Sequence, residues 1–466
     1  MKTLDGMGEQ EFPDMQDLKT CGGWSRWARY VSPEGLRQDA AHCYVHPVMQ
    51  SGSYPNLHVL VQTQVKRVVF DENKTATGVE ITPNPDFQVS TSLSTKPVGI
   101  IKAKKLVLVS SGALGSPLLL ERSGIGGSEI LKKIGVAVIS DLPGVGENLQ
   151  DHHLLLYPYK SSLGADETID GVLSGRVSHA DAISKKNPMR IWNASDISSK
   201  IRPTEQEVDA IGGEFKEVYE RDFKNRPERP LMLCAVHNCF FGDHALVPEG
   251  QYVTVATYTA YPYSRGSIHA TTTSVDSNPD LDTGFLNREV DVAALVWAYK
   301  KSREIMRRTN YYRGEPAISH PEFPAGSHAA LVSFEKSPKE HEVKNLEYSK
   351  EDDAAIERHI RLNVSTTWHS LGTCAMRPRE EGGVLDKDLN VYGVSGLKVA
   401  GKENLNSATW AVLTKTDLSI PPENVGANTY NTALVIGEKA ALIVAKELGI
   451  VLDEAPNHLS LKQLLL

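Results

Sequence analysis

A short apolar strand that runs straight into a glycine turn and a helix constrains this chain more than any other feature. After Lys104 and Lys105, the run Leu106-Val107-Leu108-Val109 carries no polar residue, the pattern of a strand covered on both faces. It leads without a break into Ser110-Ser111-Gly112-Ala113-Leu114-Gly115-Ser116-Pro117 and then Leu118-Leu119-Leu120-Glu121-Arg122. Strand, glycine turn and helix in that order belong to α/β folds and bring backbone N–H groups to a phosphate or a cofactor edge. By itself the turn chooses no ligand, because such turns are common between strands and helices.

Other stretches set the frame around it. Asn56 to Phe70 is strand-like, and Gly78 to Thr82 follows a polar turn, Asp71 to Lys74, so the two read as paired strands. His42 and His46 lie in a stretch read as extended, where they share a strand face without metal geometry. Residues 160 to 230 are polar and irregular in period, and read as peripheral helices and loops. From Leu231 to Thr273 β-rich sequence returns, followed by a helix over Val290 to Arg307 with Val292, Leu295, Val296, Ala298 and Ile305 on one side. This middle third reads as an antiparallel sheet with packed helices, distinct from the flanking α/β pieces. Near the end, Gly396 to Ala400 is a short strand. Tyr430 to Leu448 is a helix with an apolar stripe, Asn428 and Thr429 are its candidate N-caps, and Gly449 closes it.

Composition removes several classes of partner. Net charge is −8 with both signs interspersed, so nothing suits a nucleic acid or an anionic membrane surface. No apolar run is long enough to span a bilayer. The five cysteines are scattered and odd in number, which fits a reducing compartment rather than a disulfide framework. Cys234 and Cys239 flank His237 without zinc-ligand spacing and are read as buried thiols, so no metal site is expected. The first residues carry no apolar stretch and are read as no secretory signal, and the three glycosylation sequons are read as chance matches. An intracellular location, cytoplasmic or peroxisomal, is expected, although the tail Leu464-Leu465-Leu466 is not a recognisable peroxisomal tripeptide.

Three long blocks, in order, carry a resemblance. They are Ser111-Gly112-Ala113-Leu114-Gly115-Ser116-Pro117 through Gly126, then Leu142-Pro143-Gly144-Val145-Gly146-Glu147-Asn148-Leu149-Gln150-Asp151-His152, and then Thr367-Trp368-His369-Ser370-Leu371-Gly372-Thr373-Cys374 through Pro421-Pro422-Glu423-Asn424-Val425-Gly426-Ala427-Asn428. Together they resemble the glucose–methanol–choline (GMC) oxidoreductases, most closely the fungal alcohol (methanol-type) oxidase branch. The resemblance implies an α/β FAD-binding domain, doubly wound but incomplete here, plus an α+β substrate domain with an antiparallel sheet. Its implied divisions are 35–155 for the FAD-binding domain, 156–365 for the substrate domain and 366–455 for the return to the FAD domain with the catalytic loop.

The implied chemistry is oxidation of a primary alcohol to an aldehyde by hydride transfer to FAD, with oxygen as acceptor. Removing the hydroxyl proton needs a base, and a neutral imidazole suits that task. His369 matches the family's catalytic histidine. Asn428 matches the second polar position, which holds the substrate oxygen and opens a helix whose dipole favours negative charge on the reduced flavin. Trp368 would line the alcohol pocket. Val65, Ser111, Gly112, Asp417, Pro421 and Asn424 would meet the cofactor, with Asp417 against its ribityl and phosphate part; for Val65 a plain strand valine is the rival reading. A homo-oligomer is left open.

Two departures from the family pattern stand out. No Gly-x-Gly-x-x-Gly turn occurs, since Gly144-Val145-Gly146-Glu147-Asn148-Leu149 fails at its last position. The expectation is an N-terminal truncation that leaves FAD bound poorly or not at all. Between Ala400 and Asp417 the sixteen residues Gly401 to Thr416 interrupt the family's wording. They read either as a translated intron, since codons at both edges can supply splice signals, or as a genuine surface loop. The alternatives to an alcohol oxidase are a dehydrogenase using another electron acceptor and a non-catalytic remnant.

Overall fold

In the structure, a computed structural model, the residues described are 10–84, 99–184, 187–334, 343–400 and 417–450. Gly401 to Thr416 lie outside them. The apolar run forms the strand Val107–Val109, which pairs in parallel with Leu397–Val399, and Ala400 N–H continues the ladder to the Val109 carbonyl at 2.9 Å. The helix begins earlier than Leu118, at Gly112, and runs to Arg122. Gly112 has φ 75°, which explains glycine at the turn.

Pro117 sits inside that helix and has no N–H for the Ala113 carbonyl four residues back. Thr373 takes the vacated carbonyl instead, its Oγ1 donating at 2.6 Å. A residue that weakens the helix thereby ties it to the loop carrying His369.

The strands Thr63–Phe70 and Ala76–Pro83 pair antiparallel around the turn at 71–74, with Gly99–Lys102 as third strand. Their inner faces join a core of Val68, Val107, Val109, Leu119, Leu120, Val145, Leu397, Val399 and Ala440. These residues come from stretches far apart in the chain, so the C-terminal helix Thr429–Glu447 returns to the first half of the molecule.

The other half is a seven-stranded sheet in the order Gln10–Glu11, Gly23–Arg26, Ser195–Ile201, Met232–His237, Gln251–Thr259, His153–Ser161 and Ser365–Thr366. Every neighbouring pair is antiparallel except the first. Period-two alternation divides the strand Gln251–Thr259. Val253 and Val255 face a large core built with Tyr157, Tyr159, Leu295, Trp297 and Tyr299, while Ala256 and Tyr258 face the opposite side with Leu154 and Leu233. The helix Glu289–Arg307 covers the first face, as its apolar stripe predicts.

Two sequence expectations need correction. The stretch 160–230 is not peripheral. Ser195–Ile201 lies well inside the large sheet, and Phe215, Val218, Tyr219 and Phe223 enter its main core. That strand reads Ser-Asp-Ile-Ser-Ser-Lys-Ile, and the polar Ser198 and Lys200 it buries break the apolar alternation that marks a strand. The stretch around His42 and His46 is helical rather than extended. Asp39 accepts from His42 N–H at 3.0 Å and starts the turn, and the two rings meet edge to face with centroids 4.9 Å apart.

Candidate active site

Asp151 organises the loop that holds the candidate base. Its carboxylate accepts from Thr366 Oγ1 at 2.6 Å, Ser370 Oγ at 3.0 Å and the His369 backbone N–H at 3.1 Å. The loop so held carries Trp368 at φ 57°, a left-handed conformation that a bulky residue adopts only when its surroundings impose it. The result is a reversal of neighbours: Trp368 is 80% exposed and His369 only 9%. Gly372, at φ 92°, lets the same loop lie against residues 148–150, because a Cβ there would meet the Asn148 carbonyl at 2.7 Å.

His369 and Asn428, 59 positions apart, are in contact, with Nε2 of the imidazole 3.3 Å from Nδ2 of the amide. Asn428 occupies the N-cap position of the helix Thr429–Glu447, yet its side chain caps nothing. Its Oδ1 instead accepts from the Tyr258 hydroxyl at 3.1 Å. On the far side of the imidazole, His369 Nδ1 lies 2.9 Å from His152 Nδ1. Burial pushes the His369 pKa down to about 4, against a smaller opposing pull from Asp151. Burial, then the neighbouring His369, holds His152 well below the usual histidine range. Both imidazoles are therefore neutral at pH 7, and His369 can accept a proton.

All the candidate cofactor residues but Val65 form a second group beside this one. Asp417 is fully buried at the N-terminus of the helix Gly112–Arg122, where its carboxylate accepts from Ser116 Oγ and, at 2.9 Å, from Ser419 N–H. Burial raises its pKa despite those bonds. Ser111 is exposed at the same turn, and among the described residues nothing lies within 4 Å of the side-chain position at Gly112. Backbone bonds from Gly372 to Leu418 (3.0 Å) and Cys374 to Ser419 (2.8 Å) join the two groups. Asn424 donates its backbone N–H to Gln150 Oε1 at 3.1 Å, while its side-chain Nδ2 is buried without a partner among the described residues. Pro421 precedes Pro422, whose carbonyl accepts from Gln150 Nε2 at 3.1 Å. Val65 stands apart, opposite Ile81 on its own three-stranded sheet and 38% exposed.

The N-terminal GMC oxidoreductase family model matches residues 8–154, and the C-terminal one matches 262–409. An alcohol oxidase of Pichia angusta is 37% identical across 96% of this chain and 71% of its own length. The chain belongs to the GMC oxidoreductase family. An alcohol oxidase of Candida boidinii is 36% identical, over 98% of this GMC oxidoreductase and 74% of the relative. Among solved structures, an FAD-dependent oxidoreductase from Chaetomium thermophilum superposes with a TM-score of 0.69 at 22% identity, covering 97% of this chain and 72% of that one. A formate oxidase does so with 0.72 at 19% identity, over 96% and 69%. At such identities these two show the fold, an α/β part and a part built on the antiparallel sheet.

Asp151, His152 and Tyr258 touch the candidate residues of this GMC oxidoreductase, and sequence reasoning missed them. The first two stand in the block ending Gln150-Asp151-His152, so membership of a motif was their signal. Tyr258 had none beyond its place in an alternating strand. Among the described residues no helix is long and apolar enough to cross a membrane, and no three ligating side chains cluster as a metal site.

Proposed function

We propose that this chain is an FAD-dependent alcohol oxidase that converts a primary alcohol to an aldehyde with oxygen as acceptor. The observation that carries the reading is the contact of a neutral, buried His369 with Asn428, next to the exposed Trp368. Likeness to two alcohol oxidases above one-third identity supports the reaction class.

Val65, Ser111, Gly112, Asp417, Pro421 and Asn424 are assigned to hold FAD. Two features suit that group: the open approach at Gly112, and the amide donor of Asn424, buried without an acceptor and fitted to a carbonyl or ring nitrogen of a flavin. The diphosphate end has no Gly-x-Gly-x-x-Gly turn in this chain. When bound, FAD supplies the acceptor for the carbinol hydride and passes the electron pair on to oxygen.

The protein's own residues do the rest. His369 Nε2 takes the hydroxyl proton while Asn428 Nδ2 donates to the same oxygen, so charge building there meets a donor already in place. At 3.3 Å the His369–Asn428 bond is long, and a substrate hydroxyl can enter between the two at small cost. Trp368, held with its ring outward, is assigned to the alcohol pocket.

The test is an absorbance spectrum of the purified protein followed by oxygen-electrode traces with short primary alcohols. Flavin bands near roughly 450 nm and alcohol-dependent oxygen uptake are expected. Bands with electron transfer only to an added dye would make the protein a dehydrogenase; absence of the bands would make it a non-catalytic relative.

A further inference from the structure

We propose that His152 is a positioning residue that fixes the tautomer of His369, with Nδ1 protonated and Nε2 bare. The inference deepens the reading of His369 as the base and rests on it for its catalytic consequence.

The argument starts from a group that has no choice. The Val425 carbonyl can only accept, and His152 Nε2 lies 3.0 Å from it. His152 must therefore carry its proton on Nε2; a bare Nε2 would set a lone pair against a carbonyl oxygen inside the protein. A neutral imidazole has one N–H, so His152 Nδ1 is a lone pair. His369 Nδ1 lies 2.9 Å from it and must donate. Both rings are neutral at pH 7, because burial opposes the charged form of each. The single proton of His369 is then on Nδ1, and its Nε2 presents a lone pair.

The opposite end agrees in direction. Asn428 Oδ1 is occupied as an acceptor by the Tyr258 hydroxyl, which burial keeps protonated, so the amide turns Nδ2 toward His369 Nε2. Four side chains and one carbonyl thus share a single donor-to-acceptor direction, from Tyr258 through Asn428, His369 and His152 to Val425.

Two rival arrangements fail on the same contacts. Asp151 does not set the ring, since its carboxylate is taken by the His369 backbone N–H and by Thr366 and Ser370. Nor does the chain conduct a proton away. It ends at an amide carbonyl, which accepts a hydrogen bond but takes no proton at this pH, so the chain orients His369. A neutral imidazole behind the base, in place of a carboxylate, also leaves the protonated form of His369 without a counter-charge on its ring. That form should be short-lived.

The experiment is two-bond hydrogen–nitrogen NMR on protein labelled with nitrogen-15 histidine. It distinguishes protonated from bare ring nitrogens and needs neither substrate nor turnover. Signals are assigned with His369→Gln and His152→Asn. In the parent, His369 is expected as Nδ1–H and His152 as Nε2–H. His152→Leu should move His369 to Nε2–H or to a mixture. His152→Asn, whose Oδ1 falls close to the place of Nδ1 and can accept, should restore Nδ1–H. In flavin-loaded protein, His152→Leu should lower kcat by about 10²–10⁴-fold with KM little changed, and Asn should recover most of it.

An Nε2–H parent His369 overturns the proposal, as does a folded His152→Leu variant that keeps His369 as Nδ1–H. If His152→Leu fails to fold, the parent spectrum and the His152→Asn variant still decide, since loss of Nδ1–H in a folded Asn variant also counts against it. Failure of the underlying enzyme assignment looks different: His369→Ala would turn over normally while the ring-nitrogen pattern stood as expected.

Discussion

Two imidazoles at the seam between the halves of the molecule, His369 buried and His269 half-buried, meet opposite fates. His369 has another imidazole on one ring nitrogen and an amide on the other, and burial drives its pKa down to about 4. His269, in the strand Ser267–His269, has the fully buried Glu121 carboxylate 2.7 Å from Nδ1 and Glu147 3.2 Å from Nε2, and its pKa is raised, chiefly by the bond to Glu121. Burial opposes charge in both. What differs is whether a carboxylate reaches the ring, and that sets the direction of each shift, down for His369 and up for His269. Glu121 also accepts from Ala270 N–H at 2.6 Å, so the second site ties the helix Gly112–Arg122 to the end of the strand Ser267–His269.

Four experiments press on this contrast. The largest effect should come from His369→Ala in flavin-loaded protein. Turnover should fall by at least about 10²–10⁴-fold, the usual worth of a general base, with flavin absorbance retained. Unchanged turnover would make the two histidines alike in being structural.

Next is Glu121→Gln, which sets an amide where two donors need an acceptor. Denaturant unfolding should show a loss of about 1–3 kcal/mol. A stability equal to the parent would mean that the His269 pair holds nothing together.

The third is the pH dependence of stability, where the two sites should pull in opposite directions. The folded pKa of His269 is raised, so its contribution is complete below the unfolded value near about 6.5 and is lost as pH rises through the higher folded value. His369 and His152 are depressed. In the window from roughly 6.5 down to the folded value of His369 near 4, the unfolded chain binds protons that the native one does not, and stability falls as pH falls. Melting curves from pH 4 to 8 should therefore show a shallower acid limb in His369→Gln and a shallower alkaline limb in His269→Gln. The same limb changing in both variants would contradict the contrast.

The smallest effect belongs to Glu147→Gln. That carboxylate is 55% exposed, and its loss should change stability by no more than about 0.5 kcal/mol. A loss as large as that from Glu121→Gln would mean that exposure does not rank the two acidic partners.

Much of this arrangement was legible locally. The apolar run Leu106–Val109, the glycine at 112, the stripe of Glu289–Arg307 and the stripe of Thr429–Glu447 each follow from apolar content, turn chemistry or periodicity within one element, so sequence alone was enough to place them. The motif blocks likewise brought forward His369 and Asn428 as candidates. The strand Ser195–Ile201 was lost because its partners, not its own apolar content, make it a strand.

Tertiary structure alone decided the rest. It turned the Asn428 side chain from capping its helix to meeting Tyr258 and His369, used Pro117 to free a carbonyl for Thr373, and set His152 against His369 across 217 positions of chain. Each of these is a contact between residues whose spacing carries no period. Such contacts depend on sheet register and on which backbone groups local structure leaves unpaired, quantities that exist only once the two halves have packed together.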